Sequence, residues 1–272
     1  FELQNFDKYI IGTFPPISYL YYKNNLEVIR QPNNGPVLRR PGFSFFHGNK
    51  GLLWDYFLND KEMDSLPKDK DLIPEYLKNV LLKHTQINYS DIIKNRSKGS
   101  DMLLFNITPN YNLINHILKN PRAKYLMFNT ASIYGMDGLI NDNNAFVSLN
   151  KDSKSFDLFL RTLQELEFEI LFSFDNGVSW INSIDLNMNQ NKIKLFFKIK
   201  IKKNKIDEKE FFIITPFSPA VAHRANKLNA NPIVANWRIN NNMQSTTKML
   251  TTIMNHFRNN NWDALQAMNV NL

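Results

Sequence analysis

The chain has 272 residues, of which 43% are hydrophobic and 13% aromatic, so it is long enough to bury the core of one large domain. Lys and Arg number 33 against 25 Asp and Glu, which gives a net charge of +8 and favours a polyanionic partner. Cysteine is absent, which excludes disulfides, thiolate catalysis and thiolate-bound zinc, and the five histidines show no ligand spacing. We therefore expect a single domain over residues 1–272 that uses no metal ion and no cofactor.

Two further exclusions concern membranes. No apolar run approaches the roughly 20 residues that a transmembrane helix needs, and residues 1–8 do not have the pattern of a signal peptide. We expect an intracellular, cytoplasmic monomer that does not bind membranes.

Short apolar runs predict buried strands, each followed by a polar or proline-containing turn, at residues 9–11, 102–107, 125–128 and 211–214. Apolar spacings of three and four predict helices at residues 73–82, 113–118 after an Asn110 cap, 156–166 after a Ser153 cap, and about 244–257. Strands that alternate with helices predict an α/β fold. The expected arrangement is three-layered, α/β/α, with a central parallel sheet covered by helices on both faces.

Two stretches break this alternation. Residues 27–42 are rich in Asn, Pro and Arg and predict a long surface loop. Residues 193–201 alternate apolar side chains with lysines, and together with residues 210–214 they predict an antiparallel hairpin added to the sheet. The lysines of residues 192–209 fit either a solvated strand face that guards a sheet edge or a contact to DNA.

Ligands of open parallel sheets bind beyond the carboxyl ends of the strands, so the residues that follow each predicted strand are the first site candidates. These segments are small, polar and rich in proline: residues 12–16, 106–110, 129–130 and 215–219.

Two of these segments carry a family resemblance. Gly12-Thr13-Phe14-Pro15 resembles the Gly-x-x-Pro active-site loop of the uracil-DNA glycosylase superfamily. Residues 218–224, Ser-Pro-Ala-Val-Ala-His-Arg, resemble its second motif, the loop that enters the minor groove and wedges the helix open. Between them, residues 45–49 with Trp54, residues 96–101, 109–110 and 126–129 follow the motif order of the mismatch and hypoxanthine branches. The resemblance spans about residues 9–224.

The resemblance implies an enzyme that flips a base out of DNA, stacks it on an aromatic ring and reads its edge with amide groups. The substrate-binding candidates are then Gly12, Thr13, Phe14, Pro15, Phe46, His47, Asn106 and Asn110. The DNA-binding candidates are Ser218, Ala220, Val221, His223 and Arg224. The last two suit phosphate contacts, with exposed helix positions as the alternative. Core packing remains the alternative for each phenylalanine, and helix capping for Asn110.

The sequence departs from the uracil-specific enzymes at two positions. Phe14 stands where they carry a catalytic Asp, so by resemblance to the other branches Asn49 is the candidate for orienting the water. Asp101 is the candidate for negative charge, with a turn cap as the alternative. Pro16 stands where they carry a Tyr that blocks substituents on pyrimidine carbon five, which leaves room for larger bases. The alternative is that Pro16 only stiffens the loop and specificity is ordinary.

The sequence therefore predicts a monofunctional DNA glycosylase. Its substrate is uracil, hypoxanthine or a 5-modified cytosine of phage DNA, such as a glucosylated hydroxymethylcytosine, in repair or antiphage defence. The alternative is a catalytically inactive protein with the same fold that binds single-stranded nucleic acid through aromatic side chains and lysines.

Overall fold

The computed structural model describes residues 2–12, 28–30, 38–40, 52–69, 72–95, 108–128, 155–182, 196–203, 207–214 and 238–268. The chain forms two compact units. One consists of Phe1–Thr13 with Ile87–Leu272, and the other of Phe14–Gln86. The single-domain organisation stays a prediction.

The strands, in chain order, are β1 (Lys8–Gly12), β2 (Val28–Arg30), β3 (Leu38–Arg40), β4 (Ile87–Asp91), β5 (Ile93–Asn95), β6 (Thr108–Pro109), β7 (Tyr125–Phe128), β8 (Glu169–Ser173), β9 (Ile181–Asn182), β10 (Phe196–Lys203) and β11 (Asp207–Ile214). The α-helices are α1 (Leu52–Phe57), α2 (Asp60–Asp64), α3 (Ile73–Asn79), α4 (Tyr111–Lys119), α5 (Ser155–Glu165), α6 (Thr246–Arg258) and α7 (Trp262–Ala267). A π-helix spans Val80–Thr85.

The larger unit is built on a seven-stranded sheet with the strand order β4-β1-β7-β11-β10-β8-β9. The first four strands are mutually parallel. The last three join antiparallel to their neighbours. The fold is α/β as predicted, but the sheet is mixed, and its parallel part occupies one side only. The cause is the hairpin: strands joined by a short connection must run antiparallel, so β10 reverses the direction that β11 shares with β7.

The predicted hairpin is confirmed, and its position in the sheet is now known. β10 and β11 pair from Phe196↔Ile214 to Lys203↔Asp207. The hairpin lies between β7 and β8. The strand predicted at residues 211–214 is therefore the second half of the hairpin and also the fourth parallel strand.

Helices contact this sheet through aromatic side chains on both of its faces. Strand side chains alternate between the two faces. On one face Phe128 contacts Phe156 and Phe159 of α5, with ring centroids 5.0 and 5.4 Å apart. On the other face, Trp262 of α7 lies 4.1 Å from the ring of Phe212. The aromatic content of the sequence is thus largely core packing in this part of the chain.

The predicted helices are observed with small shifts of their ends. α4 begins after Asn110, whose side chain accepts a hydrogen bond from Leu113 N, and α6 is capped by Ser245 in the same way. α5 matches the prediction, while the proposed cap Ser153 lies outside the described residues. The helix predicted over residues 73–82 changes at Val80 from α to π geometry.

One strand beside β1 was not predicted. β4 has the sequence Ile-Asn-Tyr-Ser-Asp, which contains no continuous apolar run, yet Asn88 is completely buried. Its side chain exchanges two hydrogen bonds of 2.8 Å with the backbone N–H and C=O of Gln4. These bonds satisfy the amide and allow a polar residue inside the sheet.

In the unit formed by Phe14–Gln86, the expected loop at residues 27–42 contains a short antiparallel pair, β2 with β3, so the loop prediction is corrected there. Trp54 and Phe57 of α1 are buried and meet edge to face at 5.7 Å. Asn59 and Glu62 form a reciprocal capping box at the start of α2. Within the described ranges, the protein has no helix with the length and apolarity of a membrane span.

Candidate active site at the carboxyl edge of the sheet

The order of the parallel strands selects one edge of the sheet. β1 lies between β4 and β7, so the chain passes from β1 to β4 on one side and then crosses to β7 on the other. In open α/β sheets, ligands bind at the carboxyl ends of the strands where the order reverses in this way. Gly12, the last residue of β1, lies at this point. We call this side, where β1, β4, β7 and β11 end, the carboxyl edge.

Gly12 is packed against a carboxylate. The parallel register pairs Gly12 with Asp91, the last residue of β4, and Asp91 is only 3% exposed. A Cβ atom on residue 12 would lie 2.1 Å from Asp91 Oδ1 and 3.7 Å from the Tyr89 hydroxyl. Any side chain at residue 12 would overlap with the carboxylate in this position, so glycine allows the close approach of the two strand ends.

Asn110 joins these strand ends to the start of α4. Its backbone N–H donates to Ile92 O at 2.6 Å, and its Nδ2 donates to Asp91 O at 2.9 Å. Its Oδ1 accepts from Leu113 N at 3.4 Å, and Ile92 N donates to Gly12 O at 3.0 Å. Of the residues proposed from sequence, the structure therefore brings Gly12 and Asn110 together. Asn110 acts as a helix cap, and its role in base reading stays a prediction.

Asp91 is the residue of this edge that sequence reasoning missed. No motif contains it, and the strand that carries it was not predicted. The available signal was local: apolar residues at positions 87 and 89 alternate with polar ones and place Asp91 at the end of a possible strand. A carboxylate held in this buried setting interacts more strongly with a nearby positive charge than one in water, because the effective dielectric is lower.

The other sequence-predicted site residues lie outside the described residues, and their roles stay predictions: Thr13, Phe14, Pro15, Phe46, His47, Asn49, Asp101, Asn106, Ser218, Ala220, Val221, His223 and Arg224. The strand predicted at residues 102–107 lies outside them as well. In the part of the chain that is described, no group of three or more His, Asp or Glu side chains could hold a metal ion.

The lysines of the hairpin make contacts within the protein. Those of the described ranges bond to carbonyl or carboxylate oxygens, as follows. Lys198 donates to Asn176 O, Lys200 pairs with Glu208 and Glu210, Lys202 pairs with Glu208, Lys203 donates to Leu166 O, and Lys209 donates to Ile117 O, Leu118 O and Asn120 O. This part of the basic run therefore offers no support for a DNA contact. Lys192, Lys194 and Lys205 lie outside the described residues.

Comparison with protein-family models, with curated proteins and with solved structures finds no match for this chain. By its fold, the chain is an α/β protein with a mixed seven-stranded sheet. Its candidate site is a buried carboxylate at the carboxyl edge, packed against the glycine that ends the first strand.

Proposed function

We propose that this protein is a monofunctional DNA glycosylase with the three-layer α/β/α arrangement of the uracil-DNA glycosylase superfamily. The observation that carries the proposal is the position of Gly12. The residue that opens the Gly-x-x-Pro sequence ends the strand at which the order of the parallel strands reverses, with Asp91 packed against it. Sequence motif and sheet topology thus select the same point by independent arguments.

The proposed reaction is hydrolysis of the bond between base and sugar. The C1′–N bond breaks, its electron pair leaves with the base, and the oxygen of a water molecule bonds to C1′ while a water proton passes to the base or to solvent. The transition state has the character of an oxocarbenium ion, which negative charge near the sugar stabilises. Asn49 is the proposed residue for orienting the water, with Asp101 as a further source of charge. The first loop, residues 12–16, and the second motif, residues 218–224, contain no lysine, so the proposed products are a free base and an intact abasic strand.

The proposed substrate is DNA, duplex or single-stranded, with uracil, hypoxanthine or a 5-modified cytosine at the target position. Pro16 supports the larger bases, because a proline ring does not fill the place of the tyrosine that excludes carbon-five substituents. A protein that acts on modified phage DNA encounters it in the cytoplasm, so the proposed location is cytoplasmic.

The alternative, an inactive protein that holds single strands, depends on free lysines and aromatic rings. The hairpin lysines of the described ranges bond within the protein, and the aromatic rings of α5, α7 and the sheet pack on one another. These contacts favour the enzyme over the binding module.

The test is base release from oligonucleotides that carry uracil, hypoxanthine, hydroxymethylcytosine or glucosylated hydroxymethylcytosine. We expect a free base by mass spectrometry and strand scission only after alkali. No released base from any of these four would contradict the proposal, and scission without alkali would indicate a lyase or a nuclease.

A pair of variants tests the proposed role of Asn49. Asn49→Ala is expected to slow base release, because the water loses its orienting amide. The matched control is Asn255→Ala, which removes an exposed amide on α6 and should leave the rate unchanged. Equal rates for the two variants would remove Asn49 from the mechanism.

A further inference from the structure

We propose that Asp91 supplies the negative charge that stabilises the sugar during cleavage, in place of the aspartate that the first loop lacks at Phe14. The inference rests on the proposed function and adds a residue that no motif contains. Its ligand is the sugar of the flipped nucleotide as positive charge develops at C1′. Asp91 forms no covalent bond to the sugar, so the bonds that break and form are those of the proposed hydrolysis.

The position of Asp91 in the sheet supports this role. Asp91 ends β4 and is paired with Gly12 at the end of β1, so its carboxylate lies at the carboxyl edge beside the strand from which the first loop departs. The overlap with a built Cβ shows that Oδ1 contacts the backbone of Gly12 directly. The missing side chain of residue 12 is thus the space that the carboxylate occupies.

The backbone at Asp91 is held by hydrogen bonds. The carbonyl of Asp91 accepts a hydrogen bond from Asn110 Nδ2, and the next residue, Ile92, bonds to Gly12 O and Asn110 N. These bonds attach the backbone of residues 91–92 to the neighbouring strand β1 and to the start of α4. A charge held in place before the reaction stabilises a transition state without reorganisation cost, which is how electrostatic catalysis works.

Two acidic side chains are buried among those whose burial the structure describes, Glu62 and Asp91. Glu62 completes the capping box with Asn59 and lies 3.5 Å from His84 Nδ1, so its position in the α2 region accounts for its burial. Asp91 lies at the edge that the strand order selects.

The first experiment uses the wild-type protein with two oligonucleotides. One carries a cationic pyrrolidine in place of the target sugar, and the other carries a neutral tetrahydrofuran. A carboxylate that faces the sugar should make the cationic mimic bind about tenfold tighter or more at low salt. Equal affinities would overturn the inference without the need for any variant.

The second experiment uses Asp91→Asn, which keeps the shape of the side chain and removes its charge. We expect the preference for the cationic mimic to vanish, and single-turnover base release to slow by about 100-fold. A purely structural aspartate would change the melting temperature but not the ratio of the two affinities. If the variant keeps the preference, Asp91 is not the source of the charge.

The matched control is Asp175→Asn. β8 runs in the same direction as the parallel strands, so the turn after it, which carries Asp175, leaves from the same edge. Removal of this exposed charge should leave both the affinity ratio and the rate unchanged. If both variants lose the affinity ratio and the rate equally, the effect comes from the summed negative charge of this edge. That result would overturn the assignment to Asp91.

The two proposals fail in different ways. If wild-type protein prefers the cationic mimic through Asp91 but releases no base, the glycosylase activity is wrong and the charge assignment stands. If base is released and Asp91→Asn retains the rate and the preference, the glycosylase stands and the Asp91 inference is wrong.

Discussion

The two edges of the parallel strands differ in what their polar side chains do. At the amino edge, where β1, β7 and β11 begin, Lys8, Asn120 and Lys209 donate to backbone carbonyls, and Lys8 and Lys209 do so at the C-terminal ends of α6 and α4. At the carboxyl edge a buried carboxylate instead packs against a glycine. Groups that bond to the backbone hold the fold together, whereas the carboxylate at the carboxyl edge is the group to which we assign a role in chemistry.

The amino edge also shows why lysines are placed there. Helices that follow parallel strands return to this edge with their carbonyl ends, which carry partial negative charge. Lys203 reaches the end of α5 in the same manner. Burial lowers the pKa of Lys209 to about 8, and its ammonium group contacts three carbonyl oxygens.

The largest expected effect is that of Gly12→Ala at the carboxyl edge. The new methyl group would overlap with Asp91 Oδ1, so the carboxylate or the strand must move, and we expect a loss of about 3 kcal/mol in the free energy of unfolding. Urea denaturation measures it. In an Asp91→Ala background the same substitution should cost less than about 1 kcal/mol, because the overlapping atoms are gone. Equal costs in both backgrounds would contradict the contact.

The second-largest effect on stability is expected at the asparagines that flank the two ends of α4. Asn120 is buried, and its Nδ2 donates to Phe6 O and the Tyr9 hydroxyl, both at 2.7 Å. Asn120→Ala should cost about 2 kcal/mol, since buried groups lose their partners. Asn110→Ala should cost about 1 kcal/mol, the usual value of a helix cap.

The same two variants should rank in the opposite order when activity is measured instead of stability. Base release per folded molecule should fall for Asn110→Ala and stay constant for Asn120→Ala, because only Asn110 lies at the carboxyl edge. Thermal denaturation and single-turnover rates on the same samples decide it. A slower rate for Asn120→Ala would mean that the two edges are not functionally distinct.

A smaller effect is expected at Lys209. Lys209→Met removes the donor to three carbonyls at the end of α4 and should cost about 1.5 kcal/mol. Lys202→Met, which removes a lysine from an exposed pair with Glu208, should stay within about 0.5 kcal/mol. Both variants should bind oligonucleotides as wild type does at one fixed salt concentration. A matching loss of DNA affinity in both would restore the DNA-contact interpretation of the hairpin.

The smallest expected effect is the loss of stability at low pH that comes from Asp175. Hydrogen bonds from the Ser179 hydroxyl and backbone N–H, and from the Ser173 hydroxyl, lower the pKa of Asp175 from 3.8 to about 2. A carboxyl whose pKa is lowered by folding contributes stability above its ordinary pKa and loses it as the pH falls through the lowered value. Stability should therefore decrease as the pH falls from 3.8 towards 2, and Asp175→Asn should remove that part of the pH dependence. Chemical denaturation at several pH values in this range measures it; an unchanged slope would contradict the assignment.

Much of the fold was predictable because its signals are local. β1, β7 and the hairpin follow from short apolar or alternating runs, and the start of α4 follows from the chemistry of an asparagine cap. The mixed sheet was not predictable in the same way. The alternating pattern of β10 indicates a hairpin but does not say that its partner strand also pairs with β7.

The sequence by itself determined the apolar runs, the helix caps and the presence of a glycine at the end of the first strand. Only the tertiary structure decided that β4 pairs with β1 in the register that places Asp91 on Gly12. The physical reason is that strand pairing joins residues far apart in the chain, and its register is set by which side chains each face of the sheet buries. The candidate carboxylate is therefore a product of register, which no single stretch of sequence encodes.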